Sequence, residues 1–335
     1  MPIGLASSQR YRNAEHPDFG RLSAGLQQQS LSPKARTELH FALGKAHDDI
    51  GDYEPAARHF REGNAMAHRA TRWSRKAWRR TVEARLAAPA HARHADPDPG
   101  FTPVFIVGMP RSGTTLLAEL LSHHPKVCNR GELPWLARLA ERPALSGNPD
   151  QAILRDAAAV YTERSRQDDA EDARWFLDKQ PLNFRYVDLM LALFPHARII
   201  HCQRNARDNA LSLWMQCFLE DVQGYAYDFE DIALVMRDCG RLMKHWQQRF
   251  PDAIRSVQYE QLVSDPELLT RALAEWIGLP PGAAGAPSGQ SGPATSISTA
   301  SLWQARQPVN TRSVGRWRHY ADRVPELLRF SEATT

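Results

Sequence analysis

The chain has 335 residues, of which 42% are hydrophobic and 24% are charged, a composition typical of one large globular domain with a small one. A formal net charge of +4 is too small to indicate nucleic-acid binding, and no stretch has the roughly 18 unbroken apolar residues of a membrane span. The four cysteines form no C-x-x-C pair, which argues against a disulfide scaffold or a zinc site. We therefore expect a soluble, cytoplasmic protein that spans no membrane.

The first part of the chain is predicted to be helical. Residues 1–35 are polar and predict a loosely ordered leader. Within residues 36–94, the stretch LHFALGKAHDDIGDYEPAARHFREGNAM resembles a single tetratricopeptide repeat, whose small residues let two antiparallel helices pack closely. The arginine-rich stretch over 69–94 is interpreted as a helix with a solvated basic face. One repeat cannot bury its own apolar face, so it must pack on further helices, on the large domain or on a second chain, which leaves a homodimer open.

The rest of the chain, residues 101–330, alternates apolar strands with amphipathic helices. Strands are predicted at VFIVGM, RWFLDK, ARIIHCQ and IRSVQYE, with long helical segments over 150–168 and 230–250. This alternation predicts an α/β fold, a mostly parallel sheet of the P-loop type covered by helices, with ligands bound at the carboxyl ends of the strands. Residues 279–297 are rich in Gly, Pro and Ser, which predicts a mobile surface loop.

A phosphate-binding loop is predicted after the first of these strands, in the stretch FIVGMPRSGTTLL. Gly108 and Gly113 have the spacing of the G-x-x-x-x-G-K-[ST] loop, but Thr114 stands where that loop has its lysine. A γ-phosphate with magnesium needs this lysine and a strand-end aspartate, and the sequence has no convincing aspartate of that kind: Asp178 is the nearest candidate, and Lys179 follows it. The loop therefore favours a terminal group that needs less neutralisation, such as a sulfuryl group.

The donors of this loop suit an anion. The backbone amides of residues 112–115 would lie at a helix N-terminus, where unpaired N–H groups and the helix dipole attract negative charge. A guanidinium and two hydroxyls add further donors. The residues expected to contact the anion are Arg111, Ser112, Gly113, Thr114 and Thr115.

Two motifs carry a resemblance to a known family. The segment PRSGTTLL resembles the 5′-phosphosulfate loop of sulfotransferases that use 3′-phosphoadenosine 5′-phosphosulfate (PAPS). About 90 residues later, QRNARDNALSLW is similar to that family's second signature, whose arginine and serine hold the 3′-phosphate; here they are Arg204 and Ser212. The two can converge on one anion because Arg204 follows a predicted strand and Ser212 lies in the early turns of the next helix, which Asp208 is placed to cap.

Within that family, the chain resembles the protein-tyrosine sulfotransferases and their bacterial relatives that carry tetratricopeptide repeats, over residues 101–278 and 298–330. The resemblance implies that Glu132, in NRGELPW, is the general base that accepts the proton of the acceptor hydroxyl. It also implies that Lys179, in DKQP, stabilises charge on the bridging oxygen together with Arg111.

The residues themselves leave alternatives open for these roles. Glu132 could simply favour the N-terminus of a following helix, and Lys179 could be a solvated strand-end lysine. His123 and His124 are rival bases, although histidines at the end of a helix more often contact its last carbonyls.

The resemblance implies two further nucleotide contacts. Tyr259 stands where a family tyrosine contacts the nucleotide, although it could equally be a core aromatic at a strand end. Arg316, in TRSVGRWRHY, is a candidate contact of the 3′-phosphate.

Together these features predict a PAPS-dependent sulfotransferase that transfers a sulfuryl group to an acceptor hydroxyl, of tyrosine or of a small molecule, by metal-free in-line displacement. A P-loop kinase and an inactive nucleotide-binding repeat protein are the alternatives.

Overall fold

The computed structural model describes residues 9–89, 91–96, 98–166, 173–218, 221–280 and 309–331. The chain divides into two compact units. The sheet unit comprises Arg80–Arg204 and Asp238–Thr311, and the helical unit comprises Met1–Arg79, Asn205–Arg237 and Arg312–Thr335. The loop predicted over 279–297 lies outside the described residues from position 281 onward.

The sheet unit contains a parallel sheet of five strands, in the order β2-β3-β1-β4-β5. The strands are β1 (Thr102–Gly108), β2 (Val127–Asn129), β3 (Trp175–Asp178), β4 (Arg198–Gln203) and β5 (Ile254–Gln258). The predicted α/β fold is therefore confirmed, and four of the strands overlap the predicted ones, although Tyr259, predicted at a strand end, begins a helix. The three-residue strand β2 was not predicted, because so short a segment has no periodicity to detect.

Along the chain, α-helices precede, separate and follow these strands, and they are numbered in chain order. They are α1 (Pro17–Leu26), α2 (Pro33–Asp49), α3 (Tyr53–Ala70), α4 (Arg75–Ala87), α5 (Thr114–Leu121), α6 (Trp135–Ala140), α7 (Gln151–Ser165), α8 (Val187–Leu193), α9 (Ala206–Trp214), α10 (Phe229–Arg249), α11 (Tyr259–Ser264) and α12 (Pro266–Trp276). Short 3₁₀ helices lie at Pro143–Leu145, Pro181–Tyr186, Asp221–Tyr227, Arg316–Tyr320 and Pro325–Arg329. In the described part of the chain, no helix is both long and apolar enough to cross a membrane.

The core of the sheet unit explains why the sequence of its central strand is a continuous apolar run. The central strand β1 is buried at every position except its first. Val104 and Ile106 pack with Leu117 and Leu121 of α5 in one cluster, while the Phe105 ring lies near the ring of Tyr161, with centroids 6.0 Å apart. A parallel strand covered on both faces needs apolar side chains on both, so its sequence does not alternate.

The helical unit contains the pair α2 and α3, within the segment that resembles a tetratricopeptide repeat. A Cβ added at Gly44 would lie 2.8 Å from the Phe60 ring, and one added at Gly63 would lie 3.0 Å from the Phe41 ring. Gly51, in the turn between the helices, has a φ of 81°, which favours glycine. The small residues therefore do allow close helix packing, whereas the repeat assignment itself stays a prediction.

Helix α1 lies inside the segment that the sequence predicts to be a loosely ordered leader. Tyr11, Phe19 and Leu22 are each at most 8% exposed and pack with residues of α2, including Leu39 and Leu43. The polar composition of the segment concealed these few apolar anchors, whose burial favours an ordered chain over residues 9–35.

Candidate active site

The loop between β1 and α5 has a backbone shape that depends on glycine at two positions. The φ angles of Gly108, Arg111 and Gly113 are 142°, 70° and 95°. A Cβ at Gly108 would collide with the carbonyl oxygen of Cys202, and one at Gly113 would lie 2.6 Å from the Tyr259 ring. Only glycine combines the required φ with room for its neighbours, so the two glycines predicted from the spacing serve backbone geometry.

The residues predicted to donate to the anion lie just before and within the first turn of α5. Ser112 is 1% exposed, and within the described residues its Oγ has no hydrogen-bond partner. Thr114 is also buried, whereas Arg111 and Thr115 are partly exposed. A buried hydroxyl without a partner is costly, and an oxyanion held by the loop would supply one.

Arg204 lies against the same loop. Its Nη1 donates to the carbonyl oxygen of Arg111 at 2.9 Å, and its Cζ lies 4.6 Å from the centroid of the Tyr259 ring. Arg204 is 6% exposed, so the guanidinium braces the loop backbone from inside the fold. The structure thus brings Arg204, Tyr259 and the loop together, while their proposed contacts with the nucleotide stay predictions.

Glu132 and Lys179 meet at the carboxyl edge of the sheet. They follow the neighbouring parallel strands β2 and β3, whose pairing continues past β2 through a hydrogen bond from Lys179 N to the Gly131 carbonyl, 2.7 Å long. This register brings the Lys179 Nζ against Glu132 Oε1 in an ion pair. The Lys179 side chain is 5% exposed and that of Glu132 is 26% exposed, so the carboxylate is the member that solvent reaches.

Asp178, the residue before Lys179, is buried and contacts the segment that carries Glu132. Its Oδ2 accepts a hydrogen bond of 2.7 Å from the Tyr161 hydroxyl, and its Oδ1 lies 3.4 Å from the Leu133 amide. Burial raises the pKa of Asp178 to about 7, although the Tyr161 hydrogen bond acts in the opposite direction. The carboxyl is thus engaged with the turn that carries Glu132, a function that its strand-end position in the sequence did not indicate.

Two of the predicted site residues belong to the helical unit. Ser212 is partly exposed and lies in α9. Arg316 begins a 3₁₀ helix, and its Nη2 forms an ion pair with Asp48, whose other carboxylate oxygen accepts from the Tyr320 hydroxyl at 2.7 Å. The expected convergence of Arg204 and Ser212 on one anion, and the phosphate contact of Arg316, stay predictions.

The N-terminal turn of α9 differs from the expectation. The cap is Asn205, whose Oδ1 accepts from the amides of Arg207 and Asp208. Asp208 instead reaches a distant segment: Oδ2 accepts from the Gly315 amide at 2.6 Å and Oδ1 from the Trp317 amide at 2.9 Å. Asp208 therefore fixes the turn next to Arg316, a contact that no local sequence signal could reveal.

Both ring nitrogens of His124, the rival candidate for the base, lie within hydrogen-bond distance of backbone groups. Its Nδ1 accepts from the Lys126 amide at 3.1 Å, and its Nε2 lies 3.3 Å from the Pro280 carbonyl oxygen. His123 and His124 follow the last residue of α5, Leu121. Across the described ranges, no group of three or more His, Cys, Asp or Glu side chains is arranged to hold a metal ion.

Comparison with known proteins shows the family of this chain. A family model described as "Sulfotransferase family" matches residues 103–282, which is more than half of the chain. The chain therefore belongs to the sulfotransferase family, which confirms the predicted family resemblance.

Individual relatives match over part of their length. An uncharacterized protein of Aquifex aeolicus (strain VF5) is 30% identical over 329 residues, which cover 88% of this chain and 41% of that protein. Protein-tyrosine sulfotransferase 1 of Danio rerio is 26% identical over 199 residues, 53% of either chain. The chain thus spans about half or less of these relatives. Among solved structures, the sulfotransferase domain of the Synechococcus PCC 7002 olefin synthase has a TM-score of 0.49 at 22% identity, covering 69% of this chain and 91% of that one.

Proposed function

We propose that the chain transfers a sulfuryl group from PAPS to an acceptor hydroxyl. The observation that carries this proposal is the combination, at one edge of the sheet, of a lysine-free anion-binding loop with the Glu132–Lys179 ion pair. The loop suits the singly charged terminal group of the donor, and the ion pair offers a base and a cation for the transfer.

The loop would hold the 5′-phosphosulfate of PAPS. Support comes from the buried Ser112 hydroxyl without a partner and from the first-turn amides of α5, which are donors suited to phosphate and sulfate oxygens. Arg111 would add a planar pair of donors, and the hydroxyls of Thr114 and Thr115 would complete the set. Residues assigned to the adenosine and its 3′-phosphate are Arg204, Ser212, Tyr259 and Arg316.

In the transfer itself, one sulfur–oxygen bond is exchanged for another. The acceptor oxygen attacks sulfur in line with the bridging oxygen, the bond from sulfur to that oxygen breaks, and 3′-phosphoadenosine 5′-phosphate leaves. The proton of the acceptor hydroxyl goes to the Glu132 carboxylate. Lys179 and Arg111 would neutralise the negative charge that grows on the bridging oxygen.

The unequal burial of the ion pair fits these two roles. Lys179 is almost enclosed, whereas the Glu132 carboxylate reaches solvent, so an acceptor that enters from outside meets the base first. The neighbouring turn at Leu133 is tied to Asp178, which limits the movement of Glu132. A base held in a fixed position needs less reorganisation during transfer.

The variant Glu132→Gln tests the assignment of the base. We expect near-normal binding of 3′-phosphoadenosine 5′-phosphate by isothermal titration and a loss of sulfate transfer of roughly 10²-fold or more, because the amide cannot accept the proton. Glu141→Gln, an exposed position beyond α6, is the matched control and should transfer at the wild-type rate. Unchanged turnover in Glu132→Gln would remove Glu132 from the mechanism.

Titration of the nucleotide tests the donor. We expect 3′-phosphoadenosine 5′-phosphate to bind more tightly than ATP with magnesium, because the loop lacks the lysine that serves a γ-phosphate. A preference for ATP would contradict the proposal and favour a kinase. Transfer of labelled sulfate from PAPS to phenols, sugars and tyrosine peptides would identify the acceptor class, and binding without any transfer would favour an inactive nucleotide-binding protein.

A further inference from the structure

A cavity in the helical unit lies among three arginines. Its volume is about 670 Å³, within the range of small-molecule sites, roughly 300–1,000 Å³. The wall is formed by the segment before α1, the last residue of α2 and the start of the described C-terminal segment. The lining residues are Arg10, Tyr11, Arg12, Asp49 and Arg312.

Tyr11 anchors the segment before α1, which forms one part of the cavity wall. This residue is 2% exposed, its ring packs edge-on against Phe19 at a centroid distance of 5.5 Å, and its hydroxyl donates to Asp18 at 3.0 Å. The buried ring fixes the backbone between Arg10 and Arg12, both of which are exposed. The two guanidinium groups are therefore carried by an anchored segment, and binding a ligand there would require little ordering of the chain.

The positive charge at this cavity exceeds the negative charge. Asp49 is the acidic member of the lining set, and its Oδ2 already accepts from Lys45 Nζ at 2.5 Å and from the Tyr11 amide at 2.9 Å. In the part of the chain that the structure describes, neither Arg10 nor Arg12 forms an ion pair with a carboxylate. Like charges around one cavity repel each other, and a bound anion would relieve that repulsion.

We propose that this cavity is a second anion-binding site, which takes a ligand group carrying two or more negative charges on phosphate, sulfate or carboxylate oxygens. Guanidinium groups present paired donors that match such oxyanions. The existence of this site does not depend on the proposed function. Only the source of the anion rests on that function. The anion belongs either to the nucleotide or to the acceptor.

The test uses the full chain and inorganic pyrophosphate as the probe. Isothermal titration compares the wild type with Arg10→Gln/Arg12→Gln and with the matched control Arg58→Gln/Arg69→Gln, which removes two exposed arginines of α3. We expect the first double variant to weaken one pyrophosphate site by about tenfold or more, because charge-assisted hydrogen bonds are lost, while the control binds as the wild type does. Because both pairs are exposed, all three proteins should show the same thermal unfolding.

A second titration, with saturating 3′-phosphoadenosine 5′-phosphate present, identifies the source. If this pyrophosphate site persists in the wild type, the cavity receives an anionic group of the acceptor; if it disappears, the cavity receives a phosphate of the nucleotide. Equal pyrophosphate affinity in the wild type and the first double variant, or equal weakening in both double variants, would overturn the proposal. Failure of the nucleotide to bind at all would count against the proposed function, and the first titration would still decide on the cavity.

Discussion

Replacement of Asp178 by asparagine isolates the effect of burying a carboxyl group beneath the candidate active site. Asp178 is 2% exposed, and burial raises its pKa from the usual 3.8 to about 7. Asparagine has nearly the same shape and can still accept the hydrogen bond of the Tyr161 hydroxyl, but it carries no charge at any pH. Its NH2 group replaces the oxygen near the Leu133 amide, which shifts stability equally at every pH, so the change with pH in the difference between the two proteins reports the cost of the charge.

The sign and size of the effect follow from this pKa. From about pH 4 to about pH 7, the folded protein retains a proton on Asp178 that the unfolded chain has released, so the free energy of unfolding falls as the pH rises through this window. At about 1.4 kcal/mol for each pKa unit, the whole loss is about 4 kcal/mol. About 2.5 kcal/mol of it falls between pH 5 and pH 8.

Urea denaturation followed by circular dichroism at several pH values measures this loss. We expect the free energy of unfolding of Asp178→Asn, relative to the wild type, to increase by about 2.5 kcal/mol between pH 5 and pH 8. Asp150→Asn, whose parent side chain is 79% exposed, is the control and should follow the wild type at each pH. A difference between Asp178→Asn and the wild type that does not change with pH, or that decreases as the pH rises, would refute the reasoning.

Three further substitutions test the loop between β1 and α5, Arg204 beside it and the turn that Asp208 fixes next to Arg316. Gly113→Ala forces a Cβ to within 2.6 Å of the Tyr259 ring at a φ of 95°, and we expect it to lower the free energy of unfolding by roughly 1–3 kcal/mol in urea denaturation. The control Gly20→Ala, in α1 with nothing within 4 Å, should instead stabilise by roughly 0.5–1 kcal/mol. Arg204→Ala should weaken binding of 3′-phosphoadenosine 5′-phosphate by about tenfold or more in isothermal titration, and unchanged affinity would dispose of the 3′-phosphate assignment. Asp208→Ala removes the acceptor of two backbone amides, so we expect a loss of roughly 2–4 kcal/mol in the free energy of unfolding; a loss within about 0.5 kcal/mol would contradict the supporting role of Asp208.

Much of the candidate site could be predicted because its signals are local. The spacing of Gly108 and Gly113, with an apolar run before them and a helical pattern after them, specifies a strand, a tight turn and a helix start within a dozen residues. The family resemblance then pointed to Glu132 and Lys179 separately. Their contact could not be read from the sequence, because it depends on β2, a strand too short to detect, and on its register with β3.

Contacts between distant segments account for the features that the sequence did not reveal. Asp208 suggested a helix cap from its position, yet its carboxylate bonds to the amides of Gly315 and Trp317, more than 100 residues away. Arg316 stays a predicted phosphate contact, and its ion pair with Asp48 had no signal in the sequence. Backbone amides and charged groups are satisfied by whichever partner the fold brings near, and local patterns carry no record of that partner.

By itself, the sequence determined four of the five strands, the glycine spacing of the loop after β1 and the family to which the chain belongs, because these depend on neighbouring residues and their periodicity. The tertiary structure alone decided that Lys179 lies against Glu132 and that Arg204 lies between the Arg111 carbonyl and the Tyr259 ring. It also brought three arginines of one unit to a single cavity. Each of these depends on strand register and on packing between segments far apart in the chain, which residue spacing does not encode.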